Sequence, residues 1–481
     1  MSTSEPHLQR ARTKIVATVG PVSADLQTLT DLVKRGVDVF RLNMAHGERP
    51  EHQRAVENIR QLSLQHGRPI GILVDLAGPK IRLGKLPVDM IDCHRGDAFR
   101  FIAEDQSNDI AELTSNYPSL VDELSEGDLV MLADGQVSMR VTRKEPGAVH
   151  CIVVQPGAIR SRQGINLPGV KLGVNAITDA DHDNAIWAAE NKVDFISLSF
   201  VRSAEEIERL KQLVANEGSP AMVIAKIEKP EALEVLEEIV DAADGVMVAR
   251  GDLGVEIDVA QTPMVQKRIV RVCQQYSKPV IVATQMLDSM HRSTQPTRAE
   301  VTDVANAILD GADACMLSGE TAIGEYPCES VEMMNRIMLE TEREMNETNM
   351  QIPGPTQTTA VHPVTRAVVF GAAKIATRLA AKLVVIATHT GKTARIKAKQ
   401  RDVIPAVGIS DSEQTLCQLT LFWGIIPLRG VPLGEEADIR QAIEAWGLAD
   451  GCLQRGDRVV FVVGTGLAPL AHNVLSVYEV P

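Results

Sequence analysis

Short apolar runs alternate with amphipathic helical patterns over the N-terminal part of the chain. The eight runs suit buried strands and lie at 14–19, 37–42, 70–76, 194–200, 221–227, 245–249, 279–283 and 312–317. Helical patterns follow most of them, at 26–34, 204–214, 230–240, 263–276 and 298–309. Eight βα units whose strands are apolar throughout predict an α/β fold with a closed parallel TIM (β/α)8 barrel rather than an open sheet.

The alternation stops between residues 79 and 177. Helical periodicity nearly vanishes there, and alternating patterns separated by Gly-Asp turns replace it, at 95–97 and 126–128. This region predicts a small antiparallel β-barrel inserted after the third strand, in a loop on the C-terminal face of the barrel. In that position we expect it to act as a lid that excludes water.

A second α/β pattern follows a polar stretch with Pro353, Gly354 and Pro355, which we interpret as a linker. Its strands are predicted at 383–387, 404–408 and 459–463, and its helices at 364–381 and 436–445. The predicted domains are the catalytic barrel at 1–78 and 178–345, the inserted lid at 79–177, and a C-terminal α/β effector and assembly domain at 360–481. No sequence repeat is evident.

Composition excludes several classes of function. The chain has 481 residues, a net charge of -14 and only 3% aromatic residues, which argues against a nucleic-acid-binding surface. An apolar leader and a stretch of about 18 apolar residues are both lacking, so we expect a cytoplasmic protein that does not enter a membrane. The seven cysteines form no CxxC pair, and we interpret them as reduced thiols.

Polar and charged residues gather at the predicted strand ends, where TIM-barrel enzymes carry their sites. These residues are Arg41, Asn43, His46, Asp75, Lys226, Glu228, Arg250, Asp252 and Thr284. Side chains two apart on a strand share a face, so Lys226 and Glu228 converge at the barrel mouth, although a strand-end ion pair would explain them equally well.

Two carboxylates on neighbouring strands, Glu228 and Asp252, are ligands that suit Mg²⁺, with Mn²⁺ as a substitute. Arg41, Arg82 and Lys226 offer cationic partners for a phosphoryl group. The pattern therefore predicts a site for a phosphorylated, metal-bound substrate.

Three further features remain open to two interpretations. His46 is either a general acid or base, or a polar residue of a strand-to-helix turn. Thr284 is either a substrate contact or a cap. Residues 391–393 (GKT) end like a phosphate-binding P-loop, but position 386 is Ile rather than Gly, so we reject that motif. Hydroxyls and backbone N–H groups at this helix start suit a phosphate, and a simple helix cap is the alternative.

Long motifs then connect the chain to a known family. They are TKIVATVG at 13–20, FRLNMAHG at 40–47, GINLPG at 164–169, KIE at 226–228, VMVARGDLG at 246–254, ATQMLDSM at 283–290, PTRAE at 296–300, DVANA at 303–307 and MLSGET at 316–321. With these motifs in this order, the chain resembles the pyruvate kinases from Lys14 to Val480.

The resemblance implies transfer of a phosphoryl group between phosphoenolpyruvate and ADP in glycolysis, in a homotetramer that an effector regulates. It implies that Lys226 stabilises the enolate, that Glu228 and Asp252 bind Mg²⁺, and that Thr284 lies beside the substrate methylene. The other implied contacts are Arg41 and Arg82 for phosphate, Ala249, Arg250 and Gly251 for substrate, Asn43, His46 and Arg82 for nucleotide, and Thr388, Thr390, Gly391, Lys392 and Thr393 for a sugar-phosphate or nucleotide effector. Residues 464–466 resemble a second effector loop.

The chain departs from the family pattern at four positions. Ala45 stands where Ser is frequent, Leu76 where Thr is frequent, and Lys80 where many members carry Glu. Alanine and leucine have no side-chain oxygen for a monovalent cation, and a lysine supplies a fixed positive charge. We therefore expect no potassium requirement. Gln163 replaces a nucleotide-binding lysine, which leaves open whether it or Arg162 contacts the nucleotide.

Two other functions deserve comparison with this one. A metal-dependent barrel lyase acting on pyruvate-like acids would not need the lid or the C-terminal domain. A low-activity homologue that binds sugar phosphates as a regulator would not need to keep the whole constellation of Lys226, Glu228, Asp252 and Thr284.

Overall fold

The computed structural model describes residues 10–104, 106–133, 135–170, 173, 175–348, 350, 352–357, 361–464 and 474–481. Within these ranges the chain forms a closed barrel, an inserted β domain and a C-terminal mixed sheet, as the sequence predicts. None of the helices in the described ranges is both long and apolar enough to cross a bilayer.

The barrel is built from two stretches of chain on either side of the insertion. The first contains β1 (Lys14–Thr18), α1 (Leu26–Arg35), β2 (Val37–Asn43), α2 (Arg49–Gln65) and β3 (Gly71–Asp75). The insertion contains β4 (Ile91–Cys93), β5 (Ala98–Ile102), β6 (Glu112–Leu113), α3 (Leu120–Glu123), β7 (Leu129–Leu132), β8 (Val137–Glu145), β9 (Ala148–Gln155), β10 (Gly157–Ile159) and β11 (Ile165–Asn166).

The second stretch completes the barrel. It contains α4 (Asp179–Glu190), β12 (Phe195–Leu198), α5 (Ala204–Asn216), β13 (Met222–Ile227), α6 (Pro230–Glu234), α7 (Leu236–Ala242), β14 (Gly245–Ala249), α8 (Arg250–Glu256), α9 (Thr262–Gln275), β15 (Val280–Ala283), α10 (Arg298–Asp310), β16 (Ala314–Leu317), α11 (Gly319–Ala322) and α12 (Pro327–Glu347). The eight parallel strands close in the order β1-β16-β15-β14-β13-β12-β3-β2, which confirms all eight predicted strands. The helix predicted at 230–240 is two helices, because Val235 leaves the helical region with φ -116° and ψ 31°.

The insertion forms a curled sheet in the order β11-β7-β8-β9-β5-β6 around its own apolar core, with a separate pair β10-β4. The sequence predicts a small β-barrel here, and the sheet curls into a half-barrel. Its two edge strands, β6 and β11, are two residues long, and the segment at 81–84 lies between their ends, with single β-bridges from Arg82 to Gly164 and from Leu83 to Ser115.

Aspartates tie neighbouring strands together at the N-terminal face of the barrel, which we call the base. Asp38, Asp194, Asp244 and Asp313 each accept a backbone N–H from the strand before their own in the barrel, at 2.8–3.0 Å. Each follows Val or Ala, in the sequences VDVF, VDFI, ADGV and ADAC. This fourfold Asp pattern is a short structural repeat that the sequence analysis missed.

Each base aspartate also pairs with a cation. For three of them the cation comes from the barrel itself: Arg68 pairs with Asp38, Arg60 with Asp194 and Lys211 with Asp244. Asp313 is the exception, because its partners Lys399 (2.5 Å) and Arg401 (3.0 Å) follow the barrel in sequence and belong to the C-terminal domain.

The C-terminal domain contains α13 (Pro363–Arg378), β17 (Leu383–Ala387), α14 (Lys392–Lys399), β18 (Ala406–Ile409), α15 (Glu413–Leu419), β19 (Ile425–Leu428), α16 (Glu436–Asp450), β20 (Arg458–Val463) and β21 (Val474–Glu479). Its sheet has the order β19-β18-β17-β20-β21, and only β21 is antiparallel to its neighbour. β17, β18 and β20 lie where the sequence predicts strands, whereas β19 and β21 were not predicted.

The base of the barrel packs directly on this domain. Phe195 inside the barrel and Phe422 after α15 belong to one buried apolar cluster. A Cβ added at Gly71, at the start of β3, would lie 2.7 Å from Thr420 Oγ1, so this close approach requires glycine. The C-terminal domain therefore covers the base of the barrel, and the lid lies at the opposite, C-terminal face, where the predicted site residues are.

Candidate active site

Asp75 is the centre of a charge cluster at the barrel mouth. It ends β3 with a side chain 1% exposed, and it accepts hydrogen bonds from Arg41 Nε at 2.8 Å and Ser197 Oγ at 2.5 Å. Lys226 Nζ lies 3.3 Å from Asp75 Oδ1. Burial alone would raise the pKa of Asp75, but the charges of Lys226 and Arg41 hold that pKa below its ordinary value. Asp75 is therefore ionised, and protein groups engage both its oxygens.

Lys226 extends from β13 into the same cluster. Its Nζ lies 3.0 Å from Glu228 Oε1 and donates to Ser199 Oγ at 2.7 Å. Burial would lower the pKa of Lys226, but Asp75 and Glu228 outweigh it and raise the pKa above its ordinary value. The ammonium is thus held charged at the mouth, and the predicted convergence of Lys226 and Glu228 is confirmed.

Glu228 and Asp252 are the predicted metal ligands. Burial raises the pKa of Glu228, and the negative charge of Asp252 raises it further, while Lys226 opposes both. A divalent cation bound by the two carboxylates would oppose this shift, because it adds positive charge. Among the described residues no group of three or more His, Cys, Asp or Glu side chains could hold a metal. Two carboxylates nevertheless fit Mg²⁺, which takes its remaining ligands from substrate phosphate and water.

Thr284 follows β15 in a strained backbone. Its φ of 71° is uncommon for a β-branched residue. Its hydroxyl accepts from Gly251 N at 2.8 Å and donates to the Ala283 carbonyl at 2.6 Å. The start of α8 therefore fixes the position of Thr284 Oγ1 at the mouth.

Arg250 supports this loop rather than facing the open mouth. Its guanidinium donates to Asp303 Oδ1 at 2.7 Å and to the Thr284 carbonyl at 2.8 Å. Ala249 is the buried last residue of β14. In this structure the predicted substrate contacts at 249–251 are thus backbone groups, with the Arg250 side chain holding Thr284.

The predicted nucleotide residues lie where the barrel meets the lid. Asn43 Oδ1 accepts from Ala45 N at 3.2 Å, which stabilises the turn after β2. The His46 side chain is largely exposed, but partial burial of its ring, followed by the charges of Arg82 and Arg41, lowers its pKa. His46 is therefore neutral at pH 7.

Arg82 lies in the segment that leads into the lid. It donates from Nη1 to the Arg162 carbonyl at 3.2 Å. The Arg162 side chain is exposed, whereas Gln163 Oε1 accepts from Arg160 N at 2.6 Å within a local turn. Which of residues 162 and 163 contacts a nucleotide stays a prediction.

Lys80 reaches into the mouth from the hinge segment of the lid. Its Nζ lies 3.4 Å from Asp252 Oδ1, and about a third of its side chain (32%) is exposed. Arg41 and Lys226 already neutralise a second carboxylate of the mouth, the buried Asp75. Lys80 accordingly pairs with the nearer unpaired acid.

Sequence reasoning missed two serines of this cluster. Ser197 in β12 and Ser199 directly after it donate to Asp75 and accept from Lys226, respectively. Two hydroxyls at alternating positions of an otherwise apolar strand, FISLSF, were the signal that could have identified them.

The predicted effector segment surrounds the start of α14. Gly391 has φ 74°, a left-handed conformation that favours glycine, and the helix begins at Lys392. Thr388 and Thr393 are buried, while Thr390 and Lys392 are exposed. Of the second predicted loop at 464–466, Thr465 and Gly466 lie outside the described residues.

A closed (β/α)8 barrel, a lid over its C-terminal face and converging charges at its mouth together define a barrel enzyme for an anionic substrate. Comparison with known proteins identifies the family. Residues 10–331 match the family model of the pyruvate kinase barrel domain, and residues 366–478 match that of the pyruvate kinase alpha/beta domain. The chain belongs to the pyruvate kinase family, and it is a phosphotransferase.

Individual relatives agree over most of their length. A pyruvate kinase of Geobacillus stearothermophilus is 37% identical over 98% of this chain and 81% of its own. One from Corynebacterium glutamicum is 39% identical over 94% of both chains. The crystal structure of a pyruvate kinase from Cryptosporidium parvum superimposes with a TM-score of 0.90 at 30% identity, covering 98% of this chain and 97% of that one.

Proposed function

We propose that the chain transfers a phosphoryl group from phosphoenolpyruvate to ADP, giving pyruvate and ATP, and that it needs Mg²⁺ but no K⁺. The observation that carries the proposal is the buried Lys226 ammonium, held charged between Asp75 and Glu228 at the mouth of the barrel. A fixed cation in a desolvated site stabilises an oxyanion as it develops. Loss of the phosphoryl group from phosphoenolpyruvate leaves such an oxyanion, the enolate.

Each neighbouring group has a role in this proposal. Arg41 and Arg82 bind phosphoryl oxygens, and Thr284 Oγ1 lies beside the methylene carbon, where the enolate takes up a proton. Glu228 and Asp252 hold Mg²⁺, which when bound supplies positive charge to the phosphoryl oxygens. The lid excludes water, which protects the enolate and strengthens every charge interaction in the site.

A coupled assay for pyruvate formed from phosphoenolpyruvate and ADP tests the reaction. We expect steady turnover that requires Mg²⁺ and stops when the metal is chelated. The competing function, a sugar-phosphate-binding regulator, would bind a sugar phosphate but form almost no pyruvate.

The potassium part of the proposal rests on Lys80 and on what surrounds Asp75. Leu76 is fully buried and, like Ala45, has no side-chain oxygen, and both oxygens of Asp75 already bind protein cations. Lys80 meanwhile places an ammonium 3.4 Å from Asp252. At an effective dielectric constant near 20, two unit charges about 4 Å apart interact by roughly 4 kcal/mol before desolvation. A lysine can therefore take over the electrostatic role of a bound monovalent ion.

Initial rates with Mg²⁺ and Tris salts of the substrates, free of K⁺, Na⁺ and NH₄⁺, test this part. We expect full activity, and a large rise on adding KCl that an equal ionic strength of Tris chloride does not match would contradict the proposal. Lys80→Glu should lower activity, and KCl should not rescue it, because positions 45 and 76 still lack ligand oxygens. Lys85→Glu, at an exposed lysine of the same segment, is the matched control.

We also propose that Thr388, Thr390, Gly391, Lys392 and Thr393 bind a phosphorylated effector, and that the enzyme works as a cytoplasmic homotetramer. The start of α14 supports the first part, because its N-cap, Gly391, supplies no side-chain cap and the exposed Lys392 lies beside it, an arrangement that suits a phosphate. Sedimentation analysis tests the second part: a tetramer is expected, and a monomer at micromolar concentration would contradict it.

A further inference from the structure

Glu256 is a buried carboxylate for which the proposed reaction has no use. It is the last residue of α8 and is only 5% exposed. Its Oε1 accepts from Lys229 Nζ at 2.6 Å and from Asn166 Nδ2 at 3.3 Å. Within the described part of the chain, its Oε2 is buried and accepts no hydrogen bond.

This one carboxylate joins three segments around the active site. Lys229 directly follows Glu228, one of the proposed metal ligands, and α8 carries the other, Asp252. Asn166 belongs to β11, the strand by which the lid sheet returns to the barrel. Glu256 therefore connects both metal-ligand segments to each other and to the lid.

Stability alone gives little reason to keep such a group. A buried ion pair contributes little net stabilisation compared with apolar residues of the same volume, because both charges must be desolvated. An oxygen with no partner adds a further cost. A buried ion pair at this position is better explained by the geometry that it imposes on its neighbours.

The carboxylate also lies where the lid joins the barrel. A small pocket separates the two, and Glu256, Lys229, Asn166, Lys80 and Phe200 are among the residues that line it. The segments at 79–81 and 165–167, which connect the lid to the barrel, line the same pocket, so we expect a change in lid position to alter the contacts of Glu256.

We propose that Glu256 is a positioning residue that sets the separation of Glu228 and Asp252 and couples this separation to the position of the lid. The inference rests on the proposed function, because it assumes that both carboxylates bind the metal. The Lys229 pair fixes the distance between the two ligand segments, and the Asn166 contact transmits the lid position.

The test is Mn²⁺ binding to the free enzyme, measured by electron paramagnetic resonance without substrates. Removal of a group that orients metal ligands lowers affinity by roughly 10–100-fold. We expect Glu256→Gln to weaken Mn²⁺ binding about tenfold and to raise the Mg²⁺ concentration needed for half-maximal activity by a similar factor. Glu234→Gln, at the exposed glutamate that ends α6, should change neither quantity.

Variants of the two partners separate the parts of the inference. Lys229→Met should resemble Glu256→Gln, whereas Lys229→Arg, which keeps the ion pair, should bind Mn²⁺ like the wild type. Asn166→Ala should leave Mn²⁺ binding unchanged but raise the KM for ADP and speed proteolysis at the hinge of the lid. If Glu256→Gln does not fold, the two Lys229 variants carry the test.

Two results would overturn the inference, and a third result would instead contradict the proposed function on which it rests. A lower unfolding temperature with unchanged Mn²⁺ affinity in the folded fraction would make Glu256 merely structural. If Lys229→Met and Lys229→Arg bind Mn²⁺ with equal affinity, the ion pair between Lys229 and Glu256 does not set the separation of the metal ligands. If Glu228→Gln and Asp252→Asn themselves leave Mn²⁺ binding unchanged, the proposed metal site is wrong, whatever Glu256 does.

Discussion

The two ends of the barrel bury charge in different ways. At the mouth, Asp75, Lys226 and Glu228 form one connected cluster, in which Asp75 pairs with Arg41 and Lys226, and Lys226 pairs with both carboxylates. At the base, four aspartates stand apart, and each has its own backbone N–H donor and its own cation.

This difference distinguishes the charges proposed to act in the reaction from the charges that hold the strands together. At the base every charge is neutralised locally, so each pair stabilises one strand junction independently of the others. At the mouth the charges are shared, because Lys226 lies between Asp75 and Glu228, and burial, together with the charge of Asp252, raises the pKa of Glu228 in spite of Lys226. Coupled charges with shifted pKa values are typical of sites that bind charged ligands.

The largest effect is expected at the mouth, from Lys226→Met. Turnover should fall by at least about a thousandfold, or roughly 4 kcal/mol, because a preorganised cation at the developing oxyanion is lost. The fold should persist, since Arg41 still pairs with Asp75. The coupled assay and thermal unfolding measure both quantities, with the exposed Lys34→Met as control. Near-normal turnover would show that the role assigned to Lys226 is wrong.

At the base, Lys399→Met should have the opposite profile. It removes one cation from the fully buried Asp313, and breaking a buried ion pair costs about 3 kcal/mol of unfolding free energy. Arg401 remains, which keeps the loss near the lower end of the usual range. Denaturant unfolding should detect the loss, while kcat of the folded enzyme should stay within about twofold. A large drop in kcat without loss of stability would contradict the distinction between charges that act in the reaction at the mouth and charges that stabilise the fold at the base.

A smaller effect is expected from pH at the base. Burial raises the pKa of Asp194 from 3.8 to about 6. The folded state then holds this proton more tightly than the unfolded chain does, so stability falls as pH rises from about 4 to about 6 and is level above that. Relative to Asp194→Asn, the wild type should lose roughly 2 kcal/mol across this window. Thermal unfolding of both proteins at pH 4, 5, 6 and 7 checks the slope, and parallel curves would contradict the shift.

The smallest effect on basal chemistry is expected at the effector segment, which α14 links to the base through Lys399. Replacing Thr390 and Lys392 together with Ala should leave saturated turnover within about twofold but abolish activation. A sugar monophosphate, a sugar bisphosphate and AMP are the activators to compare, each as a curve of rate against concentration. An activation curve that matches the wild type would place the effector site elsewhere.

Sequence patterns revealed the barrel because its strands are short, apolar and regularly spaced, and all eight formed where predicted. They also predicted that Lys226 and Glu228 lie on the same face, because side chains alternate along a strand and this alternation can be seen in the sequence alone. The contacts of Lys80, Ser197 and Glu256 depend on which strands become neighbours, and no local pattern contains that information. The strands β19 and β21 escaped prediction for a similar reason, because their pairing partners decide whether they form.

One feature of the base bears on how such enzymes can be recombined. The barrel seals its last strand junction with cations that follow it in sequence, and its interior packing continues into the neighbouring domain through Phe422. In a chimaera that joins this barrel to a foreign C-terminal domain, Asp313 therefore loses the cations that neutralise it. The apolar side chains at the base of the barrel also lose the residues that pack against them. We expect such a chimaera to fold only if it keeps Lys399, Arg401 and the segment after α15 together with the barrel. The unit that can be exchanged between enzymes is therefore larger than the barrel itself.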